Sequence, residues 1–63
     1  ALALRRPAYW AIVERWRAHL EPAAEEDAPH IWREAKRALA AAAEEHDAPH
    51  DHRHSLDYLG RFV

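Results

Sequence analysis

Asp27-Ala28-Pro29-His30-Ile31-Trp32-Arg33-Glu34-Ala35-Lys36-Arg37-Ala38-Leu39-Ala40-Ala41-Ala42-Ala43 is the stretch on which the architecture turns. Apolar side chains fall at Ile31, Trp32, Ala35, Ala38, Leu39, Ala42 and Ala43, the three-and-four spacing of one face of an α-helix. Arg33, Lys36, Arg37 and Ala40 fall on the other face. Asp27 is placed to accept from the free backbone N–H groups of a first turn, and Pro29 fits there because those N–H groups have no helical partner anyway. The four consecutive alanines favour helix and keep the surface thin enough for another backbone to approach. The stretch predicts a helix over about 28–45.

Moving towards the C-terminus, Asp27-Ala28-Pro29-His30 is echoed as Asp47-Ala48-Pro49-His50, each time after a Glu-Glu pair. The reading is one cap used twice, so a third helix is expected over about 49–60, with Leu56, Leu59 and Val63 on one face and Gly60 as its stop. Moving towards the N-terminus, Pro7 suits a first helical turn, and Tyr9, Ile12, Val13, Trp16 and Leu20 form an apolar stripe with Trp10 on its flank. Pro22 ends that run, which predicts a helix over about 7–20. Acidic, proline-containing blocks at 21–30 and 44–52 separate the basic helical blocks. Almost no alternating pattern and no threonine occur, so no strand is expected. The fold class is therefore all-α: a small three-helix bundle, or a helical hairpin with a short C-terminal helix, in a single domain spanning 1–63. The first residue is Ala1 rather than Met, which suggests a processed chain or an excerpt of a longer one.

Of 31 hydrophobic residues, 15 are alanine, leaving 16 side chains large enough to build a core. A chain of this size with so thin an apolar inventory should be weakly stable alone or lean on a partner. Three Trp, two Tyr and one Phe exceed what three short helices can enclose, and Trp, Tyr and Arg are the types that concentrate at binding hot spots. A partner surface is expected at Trp10, Trp16, Trp32 and Leu39, used by another protein or by a second copy of the chain.

Histidine is the other signal. Four of six lie within nine residues: His46, His50, His52 and His54. On a continuous helix His50 and His54 are one turn apart, with Asp57 a further turn along, which makes a candidate transition-metal site with His46 or His52 as additional ligands. Zinc, nickel and copper are the ions that imidazole suits. A solvated polar face is the bland alternative. His19 and His46 read as helix-end histidines, placed favourably against the dipole.

Other classes find less support. There is no Cys or Thr, and Ser55 is the one serine, so nucleophilic catalysis has almost nothing to work with. One glycine excludes a glycine-rich phosphate loop. Arg5, Arg6, Arg15 and Arg17 with Trp10 and Trp16 give the first helix a basic, aromatic character, yet a net charge of −2 argues against nucleic acid. No apolar run is long enough to cross a membrane and no signal-peptide pattern is visible, so a cytoplasmic location is expected. The functional expectation is a non-catalytic helical interaction module or small subunit, with a transition-metal-binding protein as the alternative.

Overall fold

The computed structural model describes residues 6–63, which form three helices: α1 (Pro7–Leu20), α2 (Ala28–Glu45) and α3 (Pro49–Gly60). Each helix packs against both others, giving a three-helix bundle with no strand among the described residues. Each begins with proline in its first two positions, where the missing N–H removes a donor that would have no helical partner. Tyr9, Val13 and Leu20 of α1, Leu39, Ala42 and Ala43 of α2, Ala48 and Leu59 of α3 and its approach form the buried core. The alanine-rich face of α2 is thus the close-approach surface, with Ala42 and Ala43 buried and Ala40 and Ala41 left in solvent.

Four local expectations need correction. Asp27 occupies the N-cap position of α2, but its side chain makes no cap hydrogen bond. The Asp-Ala-Pro-His echo is not one cap used twice. Ala28 is the first residue of α2, whereas Asp47 lies at φ 50°, in the left-handed region, and ends α2 before α3 begins. The Ala48 N–H donates to the Ala43 carbonyl at 2.8 Å and the Asp47 N–H to the Glu44 carbonyl at 3.3 Å, the paired bonds of a Schellman motif with aspartate where glycine is usual. Its apolar contact is supplied by Ala48 and Ala43, both buried. Gly60 closes α3 without a positive φ, so its conformational freedom is not what stops the helix. Val63 does not join the inner face of α3: it is 51% exposed, and the buried positions of that helix are Asp51, Ser55 and Leu59.

The aromatic surplus is largely absorbed. Trp10, Trp16, Trp32, Tyr58 and Phe62 all pack half-buried against the core, and among the described residues Val63 is the one exposed large apolar side chain. Trp10 meets Tyr9 edge-on and Tyr58 at centroid distances of 6.2 Å, and Tyr58 meets Phe62 at 5.7 Å, so a run of edge-to-face rings seals the α1–α3 seam.

Candidate functional site

Two surface places among the described residues are the strongest candidates for a site. The first is on α3. Because α3 is helical through 49–60, His50 and His54 stand one turn apart on an exposed face, with Nε2 atoms 3.1 Å apart and ring centroids 4.5 Å apart. The other expected ligands do not join them. Asp57 is exposed but lies seven residues beyond His50, about 10 Å along the axis, too far for one ion to span all three. His46 is half-buried as the C-cap residue of α2, its N–H bonded to the Ala42 carbonyl at 2.9 Å. His52 faces α2, its Nε2 buried without a hydrogen-bond partner beside a hollow lined by Ala40, Ala43, Glu44, Asp47 and Pro49. Among the described residues no group of three or more His, Cys, Asp and Glu side chains is arranged to hold a metal ion. What the fold assembles is a two-imidazole pair, not the larger cluster expected.

The second place is a groove of about 300 Å³ where the end of α1 meets the start of α2. Trp16 and Ile31 supply its apolar wall, and His19, His30 and Glu34 its polar one. The His19 ring leans on Trp16 with centroids 5.7 Å apart. The connector between the helices lies at this end of the bundle, and residues 18–32 carry four carboxylates with no Lys or Arg. Glu21 is paired with Arg17 at 3.2 Å, which leaves Glu25, Glu26 and Asp27 as the connector's charge.

The expected partner surface divides accordingly. Trp16 lines the groove. Trp10, six residues earlier and so about 120° round the helix, belongs instead to the α1–α3 seam. Trp32 is half-buried with the Lys36 ammonium 5.5 Å from its ring centre. Leu39 is corrected outright: it is fully buried in the core, and a partner cannot reach it without opening the bundle. Arg5 lies outside the described residues.

Pattern reading missed a polar network that ties the helices from inside. Ser55 Oγ donates to the His52 carbonyl at 2.7 Å, which commits its one proton, so the Tyr9 hydroxyl 2.7 Å away is the donor to Ser55 Oγ. Burial, the largest cause, and the nearby Asp51 carboxylate hold the Tyr9 hydroxyl above its ordinary pKa. Asp51, buried in the first turn of α3, accepts the backbone N–H of Arg6, the N-cap residue of α1, at 2.8 Å. A carboxylate of α3 thereby satisfies a donor at the start of α1, and its charge also lies at the favourable end of its own helix. On the surface the Tyr58 hydroxyl donates to Glu14 Oε2 at 3.0 Å, and Glu14 pairs with Arg17 at 2.7 Å. No sequence signal short of the tertiary fold pairs residues 45 or 46 positions apart.

No helix among the described residues is long and apolar enough to cross a membrane. No family model, curated protein or solved structure matches the chain.

Proposed function

We propose that the protein is a non-catalytic helical docking module, and that its groove between α1 and α2 receives a partner segment carrying one large apolar side chain flanked by Lys or Arg. The observation that carries this reading is the coincidence, at one end of the bundle, of the Trp16–Ile31 wall with Glu34 and the carboxylate-rich connector. An aromatic wall favours a buried anchor, while the surrounding negative charge speeds the encounter with a basic segment and disfavours an acidic one. A second copy of the chain is a poorer occupant, because antiparallel α2 pairing would bring the connector against Glu44, Glu45 and Asp47 of the other copy. Ser55, the one serine, is buried with its proton engaged, in keeping with a role that involves no nucleophile.

The test uses two synthetic amphipathic peptides of roughly 15 residues, long enough for marginal helicity, with identical apolar faces and either Lys/Arg or Glu flanks. The reading expects the basic peptide alone to bind, with NMR shifts centred on the Trp16 indole, Ile31 and Glu34. Binding should weaken with salt and in Trp16→Ala and Glu34→Lys. Equal binding of both peptides, binding of neither, or shifts centred elsewhere would overturn it. So would sedimentation showing self-association through this groove.

A further inference from the structure

We infer that His50 and His54 form a two-imidazole chelate for a single divalent transition-metal ion, with the rest of the coordination sphere open to water. Two observations carry it, neither of which depends on the docking groove. Both side chains are exposed, so an ion reaches them without opening the core. Their Nε2 atoms already lie 3.1 Å apart. With metal–nitrogen bonds of about 2.0–2.1 Å, that separation corresponds to a nitrogen–metal–nitrogen angle of about 95–100°, between the square or octahedral angle and the tetrahedral one. With the backbone unchanged, a turn of each exposed ring by about 40° away from the nitrogen–nitrogen line lets the two lone pairs meet at one ion as adjacent ligands.

The proton balance is simple. In the metal-free pair one Nε2 must carry a proton to donate to the other's lone pair. Moving that proton to Nδ1 of the same ring leaves both Nε2 lone pairs free for the ion, with no net loss of charge or proton. The absence of any third His, Cys, Asp or Glu in position among the described residues limits the protein to two ligands. Affinity across a series should follow the nitrogen-ligand order, copper above nickel and zinc. By linking residues one turn apart, the bound ion also holds the first half of α3 in helical form.

The experiment titrates copper(II), nickel(II) and zinc(II) salts separately into the full chain in a non-coordinating buffer. Heat is measured for all three, and histidine ring resonances are followed for diamagnetic zinc. The inference expects one ion per chain, joint movement of the His50 and His54 ring signals, and a rise in melting temperature on adding metal. His50→Ala and His54→Ala should each weaken binding at least tenfold and abolish that rise, while both variants keep the helical circular dichroism of the parent. Asp57→Ala and His30→Ala should leave affinity within twofold. Unchanged affinity in either histidine variant would overturn the two-ligand site. So would zinc-induced shifts centred on His19, His30 or His46, or a tenfold loss in Asp57→Ala.

Discussion

The Tyr9 hydroxyl gives its proton to Ser55 Oγ, 2.7 Å away, and Ser55 gives its own to the His52 carbonyl, so a hydrogen-bonded relay of fixed direction crosses the α1–α3 interface. Direction makes the two ends unequal. Ser55→Ala removes the acceptor and leaves a phenolic O–H buried without a partner, which costs about 1–3 kcal/mol. Tyr9→Phe removes a donor from an oxygen that still donates elsewhere, and should cost about 0.5–1.5 kcal/mol. Denaturant unfolding of both single variants and the double variant checks this. The double variant should be less destabilised than the sum of the two, since a phenyl ring at position 9 no longer needs an acceptor on Ser55.

The same pair sets an alkaline limit. The Tyr9 hydroxyl ionises above its ordinary value in the folded chain, first because of burial and then because of the Asp51 carboxylate. Tyr58 is also raised, first by desolvation and then by its hydrogen bond to Glu14. The unfolded chain therefore loses these protons before the folded chain does, beginning near the ordinary tyrosine value of about 10. Stability should be level with respect to these groups below that pH and fall as pH rises through it. Melting temperatures between about pH 8 and 11 test the prediction. Tyr9→Phe should start lower at neutral pH and decline less steeply, and a parallel decline would remove Tyr9 as the cause.

Asp51 offers a separate handle on the α1–α3 interface. Its Oδ2 satisfies the Arg6 N–H from a buried position, so Asp51→Ala leaves that donor without its partner and should cost about 1–3 kcal/mol. Asp51→Asn retains a carbonyl oxygen for the same bond and loses the charge–dipole contribution, about 0.3–1 kcal/mol. Hydrogen exchange at the Arg6 amide distinguishes them: it should accelerate in the alanine variant and change little in the asparagine one.

How far these features could be read in the sequence depended on whether local pattern was enough. Pro7, Pro29 and Pro49 mark the helix starts because proline's constraint is local, and the stripes through Tyr9, Val13, Leu20 and Leu39 point inward because apolar periodicity is a sufficient signal. Asp51 and Ser55 broke that logic. A polar residue is assigned outward unless its distant partner is known, and theirs are Arg6 and Tyr9. Asp47 was hidden for a different reason, since the left-handed terminus of a helix is normally signalled by glycine. In the candidate metal site the His50–His54 spacing was legible, while Asp57 failed because sharing a helix face does not bring side chains two turns apart to one point.

Asp47 supplies a stabilising prediction. At φ 50° it bears the steric cost of a Cβ in the left-handed region, about 1 kcal/mol and somewhat less for aspartate. Asp47→Gly removes that cost while keeping both Schellman hydrogen bonds, which come from the backbone. Glycine's extra unfolded-state entropy, about 0.5–1 kcal/mol, offsets most of that relief, so a net gain of no more than about 0.5 kcal/mol is expected, visible as a slightly higher melting temperature with an unchanged denaturant slope. A loss of stability would mean that the Asp47 side chain holds the turn in a way its backbone does not.

The two tryptophans of α1 should separate stability from docking. Trp10 is wedged between Tyr9 and Tyr58, where each edge-to-face pair is worth about 0.5–1.5 kcal/mol beyond the area it buries. Trp10→Ala also opens space in the α1–α3 seam, and its total cost should be about 3 kcal/mol, at the low end for a tryptophan truncation because the ring is half-buried. Trp16 borders an open groove, so a smaller fraction of its truncation creates enclosed space, and Trp16→Ala should cost about 1 kcal/mol. For binding of a basic amphipathic peptide the order should reverse, with Trp16→Ala losing at least tenfold in affinity and Trp10→Ala close to the parent at temperatures where it remains folded. Unfolding and peptide titration on the same two variants give both orders. If Trp16 proves the more stabilising residue, its ring is spent on the bundle itself, and the groove loses the anchor on which docking depends.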